Sequence, residues 1–417
     1  MTSREKLQRS LNHQSGTVPM DFGATSVTGI HCSLVEELRH HYGLEKRPVK
    51  IIEPYQMLGE IDSDLRTILG IDVIGVYPRN ALFGFPLDNW KEWTTPWGQE
   101  VLVPGEFNTT LDGTDVLIYP EGDRSAEASG RMPESGFFFD AIIRQPAIDD
   151  EHLDPADNLE EFKPIDEDTL NYIDENCRSA QATGLGIIAN FGGTAFGDIA
   201  LVPAPFLKAP KGIRDVTEWY MSTVIRQDYI HAVFDAQADI AVANLSRIHE
   251  RVGDIPDAVF ICGTDFGTQD SQFCSTDTFE TLYAPYYRRV NDWIHSHTGW
   301  KTFKHSCGAV EPLMSHFIDA GFDIINPVQC SAAGMDAKIL KDKYGEKLTF
   351  WGGGVDTQKT LPFGTPDQVR SEVRERLEIF SKGGGYVFDA IHNVQAATPI
   401  ENLAALFETV REYDPIR

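Results

Sequence analysis

Cysteine is sparse in this chain, and what there is has no pattern: Cys32, Cys177, Cys262, Cys274, Cys307 and Cys330 form neither a C-x-x-C pair nor a short-period framework. A disulfide scaffold is therefore excluded, and reduced thiols in a cytoplasmic protein are expected. No apolar run approaches the roughly 18 residues that a membrane-spanning helix needs. The opening Met1-Thr2-Ser3-Arg4-Glu5-Lys6 reads as the start of a polar amphipathic helix rather than a signal peptide. Positive charge is scarce as well, with 36 Lys and Arg against 63 Asp and Glu, a formal net charge of −27. A surface of that sign repels phosphate backbones and anionic membranes, which argues against a nucleic-acid or membrane partner. No arginine cluster stands out to hold a polyanionic substrate. Nucleotide fingerprints are missing too: Gly192-Gly193 and Gly352-Gly353-Gly354 do not have the G-x-G-x-x-G spacing after a strand, and there is no P-loop.

What is present is a regular alternation. A helix over 3–11 leads into the short apolar run Val18-Pro19-Met20-Asp21, the first predicted strand. Helices are expected at 33–43 and 61–70, then a second strand at 72–77. Between about 86 and 160 the texture changes. Trp93 to Val103 alternates around Gly98 as a hairpin would, and an acidic, proline-rich stretch (149–167) follows. We read 86–160 as an insertion over one end of a single domain spanning 1–417, since a segment this size offers little core of its own. From 168 onward, helices alternate with strands beginning near Gly186, Ala258, Thr302, Phe322, Leu348 and Gly385, and a helix over 400–413 closes the chain. With the first two, these strands make eight, the number that closes a (β/α)8 TIM barrel.

Barrel enzymes place their chemistry at the C-terminal strand ends. The residues there are Asp21, Asn190, Asp265, Gln269, His305, Cys307, Asn326, Gln329, Cys330, Asp356, Gln358, Asp389 and His392. His305-Ser306-Cys307-Gly308 stands out: an imidazole and a thiol leave one strand two residues apart, on the same side of the pleat. Zinc accepts this nitrogen and sulfur mixture, and a catalytic zinc takes three protein ligands and keeps one position open. The third ligand is either Cys330, one strand along, or His392, across the mouth. Asp265, Gln269 and Asn190 are the candidate catalytic residues; Asp21, Gln329 and Asp356 are candidates for binding substrate. Asp265, Glu311 and Asp389 are candidate acceptors for the imidazole N–H groups.

These segments together resemble the uroporphyrinogen decarboxylase superfamily, and within it the corrinoid-dependent, zinc-containing methyltransferases. The resemblance is carried by Leu11-Asn12-His13-Gln14 before Val18-Pro19-Met20-Asp21, by Thr264-Asp265-Phe266-Gly267-Thr268-Gln269, and by His305-Ser306-Cys307-Gly308. It continues through Ile325-Asn326-Pro327-Val328-Gln329, Phe350-Trp351-Gly352-Gly353-Gly354-Val355-Asp356 and Thr398-Pro399-Ile400-Glu401-Asn402. It implies a TIM barrel, a Zn2+ site, and methyl transfer between a small-molecule donor or acceptor and a corrinoid (cobalamin) supplied by a partner protein, with a homodimer as one assembly. A metal-assisted decarboxylase or lyase is the alternative within the superfamily. Two departures matter. The Met-Arg-Gln-Ala-Gly-Arg stretch of the decarboxylases is replaced by Asp21-Phe22-Gly23-Ala24-Thr25-Ser26, without arginine. The thiol-methylating enzymes carry a Cys nine residues before the Glu of T-P-x-E-N; here that position is His392, which favours it over Cys330 as third ligand and argues against the usual thiol acceptor.

Overall fold

The computed structural model describes residues 1–159, 162–192 and 194–413. Glu160 and Glu161 of the acidic stretch and Gly193 of the glycine pair lie outside the described residues. Seven parallel strands form one sheet in the order Tyr386–Val387, Thr349–Trp351, Ile324–Asn326, Lys301–His305, Ala258–Cys262, Gly186–Ala189, Val73–Val76. The sheet curls until its edges meet across the Pro19–Asp21 segment. Asp21 N–H donates to Phe388 O (2.9 Å), Phe388 N–H to Pro19 O (2.8 Å) and Asp72 N–H to Met20 O (2.8 Å). The eighth place in the barrel is thus held by a single bridge, Met20 to Phe388. The predicted first strand is in position, but Pro19, which has no N–H, keeps its ladder short.

The barrel interior is a compact layer of Val73, Ile188, Phe303, Ile324, Trp351 and Val387, with Leu7 and Leu11 of the Ser3–Leu11 helix packed into the same cluster. That helix starts where a capping box predicts, with the Thr2 hydroxyl on Glu5 N–H and the Glu5 carboxylate on Thr2 N–H. Side chains alternate along a strand. The residues two beyond this layer, Asn190, His305, Asn326 and Asp389, therefore project into the barrel mouth. Outside the strands runs a ring of helices, among them Glu167–Ala182, Gln227–Val252, Ala284–His297, Pro366–Phe380 and Ile400–Tyr413.

Two small sheets build the β-rich region. The predicted hairpin forms between Lys91–Thr94 and Glu100–Val103, with Trp93 opposite Val101. Sequence reading missed its neighbour: Val49–Glu53 pairs in parallel with Glu100–Val103 and antiparallel with Leu58–Gly59. A second sheet joins Thr109–Asp112, Asp115–Ile118, Gly130–Met132 and Asp140–Ala141. Phe83, Phe85, Phe107 and Phe139 pack ring against ring between the sheets, in the same apolar cluster as the helices around the barrel.

Candidate metal centre

The Lys301–His305 strand, Lys-Thr-Phe-Lys-His, is inward at Phe303 and again at His305, so the last strand residue delivers its imidazole to the mouth. The chain then bends so that Cys307 lies over the same place, its Sγ 3.4 Å from His305 Nε2. Gly308 makes the bend possible. Its φ is +88°, and a Cβ there would stand 2.4 Å from the Gly267 backbone, where the next rim loop packs. His392 arrives from beyond the Tyr386–Val387 strand, its ring 5.5 Å from that of His305 and nearly edge-on to it. The donor atoms of His305, Cys307 and His392 all lie within 4.8 Å of one another.

The surroundings orient these donors. Asn326 Nδ2 donates to Trp351 O (3.0 Å), which turns Asn326 Oδ1 toward His305 Nδ1 at 2.7 Å. The Nδ1 position therefore carries the proton, and the Nε2 lone pair faces Cys307 Sγ. Asp265 Oδ1 accepts from Cys307 N–H at 2.6 Å and lies 3.8 Å from His305 Nε2. Burial holds the His305 imidazole down at about 4, with Lys304 adding to the effect, and holds His392, beside His305, at about 4 as well. Both rings are neutral at pH 7, the form that binds a metal. Burial and the adjacent Asp265 carboxylate push the Cys307 thiol well above its usual range. A metal entering here would displace that proton. Two imidazole nitrogens and one sulfur, one imidazole already held in the binding tautomer, match a catalytic zinc site.

Cys330, the other candidate third ligand, is not in this group. It packs against the apolar layer under the Pro366–Phe380 helix, where burial pushes its thiol to about 12. Gln329 Oε1 accepts from Gly308 N–H (2.8 Å) and so braces the bend after Cys307. Asn190 Oδ1 accepts from Gly192 N–H (3.1 Å), and Asp356 Oδ1 accepts from the N–H groups of Gln358 and Lys359. Gln269 is exposed and reaches Gln358 Oε1 (3.2 Å). Glu311 meets Lys343 and Tyr344 rather than an imidazole. Asn326 occupies the acceptor role that sequence reading gave to acids. Its signal was present, since the strand ending Ile324-Ile325-Asn326 repeats the inward alternation that places His305.

Two further acids are sealed in the mouth. Asp21 Oδ2 accepts from Trp351 Nε1 (3.0 Å) and Oδ1 from Ala24 N–H (3.1 Å), while burial raises its carboxyl to about 7. Asp389, at the same level on the neighbouring segment, has no hydrogen-bond partner on either oxygen among the described residues. Burial, with Asp21 adding, pushes it well above the carboxylate range. A raised acid favours the folded state most fully below its unfolded value, and that contribution is lost as pH rises through the folded value, about 1.4 kcal/mol for each unit of separation. Asp389→Asn removes this ionisation. The variant is expected to gain stability relative to wild type as pH is raised from about 4 to 8, measured by urea unfolding across that range. A constant difference between the two proteins would contradict the neutral assignment.

Asp265→Asn keeps an acceptor for Cys307 N–H while removing the charge beside the donors. It is expected to retain zinc yet lose roughly 10- to 100-fold in metal affinity or turnover, the usual cost of disturbing a group that orients ligands. Complete loss of metal, measured by elemental analysis, would instead make Asp265 a ligand.

A parallel barrel with a nitrogen and sulfur donor cluster at its C-terminal rim defines the class: a barrel protein with a metal-competent mouth. The uroporphyrinogen decarboxylase (URO-D) family model matches residues 142–413, and the chain belongs to that family. Among curated proteins, it is 25% identical over 222 residues to the methylated-thiol–coenzyme M methyltransferase of Methanosarcina mazei, covering 51% of this chain and 53% of that protein. It is 33% identical over 95 residues to the uroporphyrinogen decarboxylase of Janthinobacterium sp., covering 21% of this chain and 26% of that one. The chain thus spans about a quarter to a half of the length of these relatives. Among solved structures, a methyltransferase from Methanosarcina mazei aligns over 99% of both chains with a TM-score of 0.55 at 16% identity, a likeness of fold. Among the described residues, no helix is long and apolar enough to cross a membrane.

Proposed function

We propose that this protein is a zinc-dependent methyltransferase that moves a methyl group between a small molecule and the cobalt of a corrinoid carried by a partner protein. The observation that carries this reading is the convergence of His305, Cys307 and His392 donors within 4.8 Å at the barrel mouth. The likeness to a methyltransferase over half the chain supports it. Bound by these three residues, zinc would supply a Lewis acid for the heteroatom of the small molecule, activating a nucleophile or improving a leaving group. Asn326 fixes the His305 tautomer, Asp265 holds the Cys307 backbone, and Gln329 holds Gly308. Two imidazoles and one thiolate bring less negative charge than a two-thiolate set, leaving a more electrophilic metal suited to ethers or amines as well as thiols. Asp21 and Asn190 border the same mouth, where substrate would lie. The barrel interior is filled by side chains, so a corrin ring has to be presented across the rim, and the 86–160 sheets are one wall for that docking.

Decarboxylation is the second reading, favoured by the family's name and the short match to a decarboxylase. Against it, the mouth beside the first strand holds the buried acid Asp21, where a polycarboxylate substrate would need cations.

One experiment separates the two readings. Protein purified without chelator is expected to carry about one zinc per chain. With cob(I)alamin and a panel of methyl thioethers, methylamines and aryl methyl ethers, it is expected to form methylcobalamin, followed by its absorbance. A zinc content near zero that does not rise on adding zinc overturns the proposal, as does carbon dioxide release from uroporphyrinogen without methyl transfer.

A further inference from the structure

Lys304 is fully buried on the strand that carries His305. Strand alternation sends it to the face opposite His305, away from the mouth. Its ammonium curls back over the strand end and donates to Thr264 O at 2.6 Å and His305 O at 2.5 Å. Aromatic rings close around it: Phe266 at 5.0 Å, Tyr287 at 5.8 Å and Phe317 at 6.0 Å from ring centroid to Nζ. Among the described residues it has no carboxylate partner at ion-pair distance. Burial lowers its pKa from the usual lysine range, and an amine buried without a carboxylate partner is costly and needs a reason. A methionine in the same apolar shell would fill the volume without that cost.

The two carbonyls it grips show where its effect is delivered. Thr264 immediately precedes Asp265, whose carboxylate holds Cys307 N–H, and His305 is itself in the donor group. The ammonium therefore joins the two strand ends from which two of the three donors are positioned. The charged and ionisable groups facing it are Cys262, Asp265, Asp198 and Cys307.

We propose that Lys304 is a positioning residue of the metal centre: its side-chain amine, donating to Thr264 O and His305 O, fastens the strand ends bearing Asp265 and His305. This rests on the zinc reading above and names a residue that the reading does not require. Loss of those two ties lets the two rim loops separate. The donors would persist, but in poorer alignment and at lower affinity.

The test uses the full-length protein, with zinc affinity read by competition against a chelator of known affinity, and with cobalt(II) as a spectroscopic substitute. Lys304→Met removes both carbonyl ties; Lys304→Gln keeps amide donors on a shorter side chain. Lys304→Met is expected to bind zinc about 10- to 100-fold more weakly, the range for groups that orient ligands, and Lys304→Gln to recover part of that loss. Their cobalt(II) d–d and thiolate charge-transfer bands should shift while circular dichroism stays native. Zinc affinity within about twofold of wild type and a superimposable cobalt spectrum in both would overturn the proposal, leaving Lys304 a structural fastener. If either variant folds poorly, Phe266→Leu carries the test, because it strips the nearest ring from the ammonium and leaves the lysine in place. Weaker zinc binding in that variant supports the proposal, and unchanged binding overturns it. Failure of the wild-type protein to bind zinc is a separate result, which removes the zinc reading itself.

Discussion

Cys307→Ala is expected to take zinc content from about one per chain to near zero and to abolish methyl transfer with it, while the barrel stays folded. Cys307 supplies the only sulfur and the only anionic donor of the cluster, so its removal leaves two neutral imidazoles, too few for a catalytic zinc. The side chain is partly exposed at the rim and does not belong to the apolar layer that fills the barrel. Its loss therefore removes no interior packing. Elemental analysis and thermal unfolding on the same sample check both halves of the expectation. Native zinc content in the variant would mean that the metal is held elsewhere.

The second large effect separates His392 from Cys330. Zinc X-ray absorption of the wild type is expected to show two nitrogen ligands near about 2.0–2.1 Å and one sulfur near about 2.3 Å. His392→Ala should lose one nitrogen and most of the affinity; Cys330→Ser should leave the spectrum unchanged. The reason is position. The His392 ring lies 5.5 Å from that of His305, whereas Cys330 lies outside the donor group, in the field of the Arg376 and Glu372 charges of the Pro366–Phe380 helix. A spectrum with two sulfurs, lost in Cys330→Ser and kept in His392→Ala, would require the rim loop after Asn326 to turn over and would restore a two-thiolate site.

Much of this was legible in the sequence because each barrel strand announces itself by a short apolar run followed by polar residues, and the rim residues follow from where each run stops. His305 and Cys307 were readable in this way, from two-residue spacing on one strand. His392 could be placed at the rim after the last strand, but no local pattern ties it to His305 and Cys307 across the mouth; only its distance from Glu401 favoured it over Cys330. Val49–Glu53 was missed because its partner, Glu100–Val103, lies some fifty residues away and carries no turn signal linking the two. The strand alternation places Asn326 at the rim, but the roles of Asn326 and Lys304 were hidden for a different reason. Their roles depend on which hydrogen bond a neighbour makes, here Asn326 with Trp351 O and Lys304 with Thr264 O, and such partners have no signature in sequence.

The seam of the barrel also sets the order of biogenesis. Asp21 N–H donates to Phe388 O and Phe388 N–H to Pro19 O across the closure, and the Ser10 hydroxyl donates to Tyr386 O across a separation of 376 residues. While the chain emerges from the ribosome, the N-terminal helix and first segment can meet Asp72 and Gly184, but their Phe388 and Tyr386 partners are made only when almost the whole polypeptide has emerged. His392 emerges within a few residues of that closing strand. On the zinc reading, the three-donor set is therefore complete only at the step that seals the barrel, and a nascent chain stalled before residue 386 would expose both an open sheet edge and an incomplete donor set.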